Sequence, residues 1–243
     1  MMRSRILKVC GMTESALDEA LSDFAGSLGN PTSSLLACPG EIHLRLTVNT
    51  ESEEQGTRYL DDLEARIRQR LGELLIGRDG EQMEDVVAQL LRDASRTVAV
   101  AESCTGGLVC HRLTNVAGSS TYFVRGEVAY SDHAKETLLG VPRELIARHG
   151  AVSEAVALAM ASGMRDAAGT DLALGITGIA GPGGGSAEKP VGLTYIAIAS
   201  DAGATCREFR FIGDRATNKL LASQAALDMV RRHLLSRRDA AET

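Results

Sequence analysis

The sequence predicts an α/β protein: a layered α/β/α domain over residues 82–243, preceded by a small α+β domain over 1–76, with 77–81 as the linker. Three observations lead there. From Gln82 onward, segments with helical spacing of apolar residues alternate with short apolar, β-branched runs, the pattern of a sheet with helices on its faces. Residues 1–76 read instead as a compact β-α-β-β-α unit. Between the two, Gly77-Arg78-Asp79-Gly80 breaks both patterns. With 243 residues and 44% hydrophobic side chains, the chain has enough apolar material for packed cores.

Within the small domain, Arg5–Val9 reads as a strand. Thr13 follows as an N-cap, and Ala16, Leu17, Ala20, Leu21, Phe24 and Leu28 repeat at helical spacing. Gly29-Asn30-Pro31 is the stop. Ser33–Cys38 and Glu41–Val48 read as two strands joined at Pro39-Gly40, the second alternating through Ile42, Leu44, Leu46 and Val48. A long charged helix, Glu53–Leu75, turns Leu60, Leu63, Ile67, Leu71 and Leu74 inward. The string Gly77–Gly80 resembles the GxxG clamp with which KH domains grip nucleic acid. It follows the last helix instead of joining two, however, and residues 1–76 carry eight Lys/Arg against twelve Asp/Glu, the wrong sign for phosphate.

In the large domain, Gln82–Ser95 is a helix with Met83, Val86, Val87, Leu90 and Leu91 on one face. Val98–Ala101 is a buried strand, and Gly106-Gly107 opens a helix running to about Asn115. Tyr122–Tyr130 is the next strand. Ser131 and Asp132 cap a short helix with Lys135, Leu138 and Leu139, and Pro142 opens another around Leu145 and Ile146. Ser153 caps, and Gly169 ends, an alanine-rich helix. Leu172–Thr177 is a strand. It feeds the loop Gly178–Pro190, and Val191–Ser200 and Thr205–Phe211 form a hairpin. Gly213-Asp214-Arg215 starts the last helix. Arg231, Arg232, Arg237 and Arg238 near its end suit the helix dipole.

Composition excludes several functions. Net charge is −6 and aromatics are 3%, without Trp, so neither a basic field nor a stacking surface recruits nucleic acid. No apolar run is long enough to span a bilayer, and the first residues lack a signal-peptide core. Five cysteines without a CxxC pair suit reduced thiols, so the expectation is a cytoplasmic protein without membrane or nucleic-acid partners. The five histidines show no metal-ligand spacing, and neither metal nor cofactor is expected.

The stretch most suited to chemistry is Val98–Gly107, VAVAESCTGG. A strand ends in Glu102-Ser103-Cys104-Thr105, which places short nucleophilic side chains in a turn before a helix. Such turns also serve as caps, so the residues alone leave capping and catalysis open. The glycine-rich loop GIAGPGGGSAEKP matches neither a P-loop nor a dinucleotide fingerprint. With Thr177 before it and Lys189-Pro190 at its exit, it reads as a ligand loop. His133 and His149 are the histidines near the polar turn YSDHAK, which also holds Tyr130 and Lys135. A lysine serves as a base only where its pKa is lowered.

AESCTGG, AYSDHAKETLLGV, GITGIAGPGGGSAEKPVG and FIGDR, in that order, resemble the C-terminal domain of the competence/damage-inducible CinA family, a nicotinamide-nucleotide amidohydrolase domain. Residues 1–76, with NPTSSLLACPGEIHLRL, resemble that family's small KH-like middle domain. The family's molybdopterin-binding-like domain, linked to ADP-ribose pyrophosphatase activity, is expected to lie outside this chain. By resemblance, Ser103, Tyr130 and Lys135 fall on the catalytic group. Thr105, Gly106, Gly107, Thr177, Gly178, Gly181 and Gly183 fall on the substrate pocket, and Arg215 lies near its phosphate end. Asp132-His133 stand where the family commonly has Asn-Glu.

The resulting expectation is a metal-independent amidase that converts nicotinamide mononucleotide to nicotinic acid mononucleotide and ammonia. Ser103 attacks, Lys135 and Tyr130 move the proton, and the N–H groups of Gly106-Gly107 stabilise the oxyanion. The small domain is expected to make dimer or interdomain contacts, within a homodimer. The alternative is a non-catalytic nucleotide- or partner-binding module. Only the enzyme requires Ser103 and Lys135 within hydrogen-bond reach.

Overall fold

A computed structural model describes residues 1–24 and 30–241, the side chains of 238–241 excepted. The expectations for Leu28, Gly29 and the Arg238 side chain lie outside it. The chain divides into two units, Met1–Met83 and Glu84–Thr243.

The first unit runs β1 (Met2–Val9), α1 (Glu14–Ala20), β2 (Thr32–Cys38), β3 (Glu41–Asn49), α2 (Glu53–Leu71) and β4 (Leu75–Arg78). Thr13 caps α1 by accepting the Ala16 N–H. The alternation seen in β3 is real: Ile42, Leu44, Leu46 and Val48 are buried and pack with Leu60, Leu63 and Ile67 of α2. Two expectations are corrected here. The long helix ends at Leu71 rather than Leu75, because Gly72 takes a φ of 53° and a short 3-10 turn follows. Gly77 and Arg78 are not linker but the end of β4, a fourth strand antiparallel to β1, in a sheet ordered β2-β3-β1-β4. The physical reason is β1's second edge, whose backbone groups need partners. Leu75, Ile76 and Gly77 bury themselves along it, and Asp79 locks the end by exchanging bonds with Ile6 through its N–H and its Oδ1.

The second unit contains α3 (Met83–Asp93), β5 (Val98–Glu102), α4 (Leu108–Asn115), β6 (Phe123–Val128), α5 (Asp132–Leu139) and α6 (Arg143–His149). It continues with α7 (Glu154–Ala168), β7 (Leu172–Gly178), β8 (Leu193–Ser200), β9 (Gly203–Arg210) and α8 (Arg215–Ala241). Its five-stranded sheet is ordered β6-β5-β7-β8-β9. β6, β5 and β7 run parallel, and β8 and β9 add antiparallel. Ala99, Ala101 and Ala173 face α7 through Val156, Met160 and Met164. Gly175 allows close approach there: a Cβ would stand 2.4 Å from the Ala157 carbonyl oxygen. Strand alternation turns Val98, Val100, Leu174 and Ile176 to the opposite layer. In that layer Arg112 of α4 joins Glu84 of α3 to Ser223 and Gln224 of α8.

Connections leave β5 toward β6 and β7 toward β8, in opposite directions. The carboxyl ends of β5 and β7 therefore flank a topological switch point, where open α/β sheets place their ligands.

Candidate active site

The parallel register sets Glu102 beside Ile176, and the Ser103 N–H donates to the Ile176 carbonyl at 2.9 Å. Ser103 thus leaves the sheet next to Thr177. A cleft of about 270 Å³ opens here, lined by Ser103, Cys104, Tyr130, Lys135, Thr177 and Arg215 together with Gly178, Gly181 and Gly183. A larger cavity of about 490 Å³ at the other end of the sheet offers no comparable chemistry. Its guanidinium groups, Arg96 and Arg237, are paired to Asp171 and Asp201.

Lys135 is the central group. Ser131 caps α5, and the side chain of Lys135 in its first turn runs inward until only 2% of the residue is exposed. Its Nζ stands 3.4 Å from Ser103 Oγ. Burial pushes the ammonium pKa down, opposed by the negative charge of Asp132. Cys104, the competing nucleophile, is inert by the same physics: burial raises its thiol to about 12. No histidine is among the described residues lining the cleft, so His133 and His149 do not supply a base there.

The turn itself differs from the expectation. Gly106 and Gly107 adopt φ of 61° and 91°, which explains the glycine pair. Their N–H groups are not open to a ligand. Gly106 donates to the Ser103 carbonyl at 3.1 Å and Gly107 to Glu102 Oε2 at 2.9 Å. The fully buried Glu102 carboxylate also accepts from Val109 and Cys110, so it caps α4 from the preceding strand. The assignment of the oxyanion donors to Gly106-Gly107 is therefore corrected. Nor do Thr105, Gly106 and Gly107 line the cleft: Thr105 is fully buried, and Gly106 lies under Lys219 Nζ.

Tyr130 sits at the mouth, 57% exposed, and its hydroxyl accepts from Arg215 Nη2 at 2.7 Å instead of meeting Ser103 or Lys135. Arg215 Nη1 donates to the Gly181 carbonyl at 2.6 Å. Asp214 leaves Arg215 alone, its Oδ1 accepting the Thr217 N–H as the cap of α8. Among the described residues Arg215 has no ion pair, so a full positive charge faces the mouth. Thr177 lines the cleft, but its hydroxyl already donates to the Ala151 carbonyl at 2.8 Å. Gly178 has no room for a side chain, since a Cβ would stand 2.7 Å from the Leu193 carbonyl oxygen.

Sequence reasoning did not assign several contributors to the site. Asp132 lines the cleft near Lys135, and Ala151 and Val152 form a wall. Asn218 donates from α8 to the carbonyls of Ala180 and Gly213, fastening the loop's entry. Lys189, noted only for its place in the loop, fastens the exit by donating to the His149 and Val152 carbonyls at 2.7 Å each. Nothing in the local pattern marks a backbone wall. Asp132 could have been read from its place one helical turn before Lys135.

The fold and the cleft define a two-unit α/β protein with a serine and a buried lysine at the sheet's switch point. The CinA C-terminal domain family matches residues 80–234 and the damage-inducible protein CinA KH domain family matches residues 4–77. The chain belongs to the CinA family. It is 49% identical over 232 residues to a competence-damage inducible protein of Caldicellulosiruptor bescii, covering 96% of this chain and 56% of that protein. A CinA-like protein of Kosmotoga olearia is 43% identical over 232 residues, covering 96% and 56%. The chain thus spans little more than half the length of these relatives. Among solved structures, the competence/damage inducible protein CihA from Agrobacterium tumefaciens matches with TM-score 0.59 and 41% identity, covering 61% of this chain and 93% of its own. A CinA superfamily protein from Klebsiella pneumoniae matches with TM-score 0.62 and 32% identity, covering 64% and 99%.

Proposed function

We propose that this protein hydrolyses the carboxamide of nicotinamide mononucleotide, giving nicotinic acid mononucleotide and ammonia. The observation that carries the reading is the 3.4 Å approach of Lys135 Nζ to Ser103 Oγ, inside a burial that lowers the lysine's pKa. A solvated lysine is protonated and cannot take a hydroxyl proton; a desolvated one spends more of its time neutral.

In the mechanism this supports, Ser103 Oγ forms a bond to the carboxamide carbon while its proton passes to Lys135. The carbonyl π pair moves to oxygen. The pair on oxygen then re-forms the C=O bond as the C–N bond breaks, and ammonia departs with the proton Lys135 holds, leaving an ester on Ser103. Water, deprotonated by Lys135, then attacks the ester and releases the carboxylate and the serine hydroxyl. Arg215, charged and without a carboxylate partner, suits the 5′-phosphate at the mouth. Tyr130 holds Arg215 in place, and to join proton transfer its hydroxyl must leave that guanidinium. The test is ammonia release from nicotinamide mononucleotide by the purified chain. Turnover with a one-to-one yield of nicotinic acid mononucleotide supports the reading; its absence at any pH between 6 and 10 refutes it.

A further inference from the structure

The chemistry above creates a negative oxygen, and the glycine pair has no free donor for it. We propose that the backbone N–H groups of Ala151 and Val152 are the oxyanion donors of this cleft. The proposal takes its reaction from the amidase reading and its location from the hydrogen bonding of one turn. Every carbonyl from His149 to Val152 is held by a side chain. Lys189 Nζ donates to those of His149 and Val152 at 2.7 Å, Ser153 Oγ to that of Gly150 at 3.0 Å, and Thr177 Oγ1 to that of Ala151 at 2.8 Å. The Gly150 N–H is also used, donating to the Ile146 carbonyl at 2.8 Å. The next two N–H groups, of Ala151 and Val152, find no acceptor among the described residues. Both residues line the cleft with Ser103 and Lys135.

A trans peptide points its N–H opposite its C=O. The Val152 N–H is therefore directed away from Thr177 Oγ1, and the Ala151 N–H away from Ser153 Oγ. Adjacent main-chain N–H groups released from their own chain are an anion-binding arrangement. Here the framework fixes it in advance, as transition-state stabilisation requires. Thr177 and Lys189 are then positioning residues: they hold the carbonyls of this turn so that its amides cannot turn over.

The test replaces Val152, and separately Ala151, by its α-hydroxy acid, which removes one N–H as an ester and keeps every side chain. Two readouts are taken. One is ammonia release from nicotinamide mononucleotide. The other is the rate at which a fluorophosphonate probe modifies Ser103: the Oγ–P bond forms, fluoride leaves with the P–F pair, and the proton passes to Lys135. At least one ester variant with an unchanged melting temperature should lose about 10²–10³-fold in kcat at nearly constant KM. It should also be phosphonylated about tenfold more slowly or worse, on the same donor argument. Lys189→Met should lower kcat in the same direction, and Lys189→Arg should restore part of it. Folded ester variants with wild-type kcat, or with a wild-type phosphonylation rate, overturn the proposal. A wild-type chain that is phosphonylated but leaves the mononucleotide intact refutes the substrate, while the labelling rates still decide the donors. A chain whose Ser103 is never labelled and that leaves the mononucleotide intact overturns both, and where turnover persists without labelling, kcat of the ester variants alone decides the donors.

Discussion

Lys135 shows how burial changes the protonation of an ordinary side chain. From its residues alone, YSDHAK is a helix start with a solvated lysine. In the fold, Lys135 is nearly inaccessible and its pKa falls below the usual 10.5. In the proposed mechanism the amine must be neutral, so kcat/KM should rise with pH through a group titrating below a free lysine. Lys135→Arg, which stays protonated, should be inactive. Stability carries the same sign. Between the folded and unfolded pKa values the folded chain binds fewer protons at Lys135, so the lysine costs stability that returns as pH rises. Lys135→Met should therefore melt higher than wild type near neutrality, and the gap should close toward pH 10.5. A pH-independent gap would remove titration from the account. At the neighbouring pair, Ser103→Ala should abolish ammonia release. Cys104→Ala should keep most of it at a stability cost of about 1 kcal/mol, because a thiol raised to about 12 contributes packing and no nucleophile.

At the scale of elements, two devices hold the cleft. The first is the β5–α4 turn, in which Glu102 accepts three N–H groups at the start of α4. Glu102→Gln keeps the shape but removes the charge and half the acceptors. It should lose about 2 kcal/mol in denaturant unfolding, as charge-assisted bonds become neutral ones. The second device is the β7–β8 loop, tied at its entry by Asn218 and Arg215 and at its exit by Lys189. Arg215 has a double duty there, since it bridges Gly181 and Tyr130 while its charge faces the mouth. Arg215→Ala should raise KM for the mononucleotide about ten- to a hundredfold, the worth of a charge-assisted bond, and hardly alter hydrolysis of the riboside. Equal losses on both substrates would assign Arg215 to loop support alone. The capping role of Glu102 was not legible beforehand, because its three acceptor bonds depend on the helix folding back over its own strand.

On the scale of the whole molecule, the first unit supplies a four-stranded sheet under two helices and no part of the described cleft. The string Gly77–Gly80 is half strand and half turn, with Asp79 bonded to Ile6. A backbone so engaged is poorly placed to clamp phosphates. With twelve acidic against eight basic residues in 1–76, the chain should show no salt-sensitive affinity for single-stranded RNA in a fluorescence-polarisation titration. Binding that weakens steeply between 50 and 200 mM salt would contradict this. The second unit encloses its chemistry within one sheet and two helical layers; among the described residues, no helix is long and apolar enough to cross a membrane.

The order of strands and helices apart from β4, the caps at Thr13, Ser131 and Ser153, and the core face of β3 were determined by the sequence itself. The reason is that periodicity and capping act over a few residues, and each is written in the neighbours of the residue it governs. The motifs likewise singled out Ser103 and Lys135, through a family resemblance, as candidates for the proposed chemistry. Tertiary structure alone decided that β4 completes the first sheet, that Lys135 is buried against Ser103, and that Gly107 donates to a buried carboxylate. It also decided that four carbonyls of one turn are held by residues as distant as Thr177 and Lys189. These facts concern desolvation and which hydrogen bonds are already spent. Several are set by atoms far apart along the chain, 26 residues for Thr177 and Ala151 and 40 for Lys189 and His149, a distance at which local pattern carries no information.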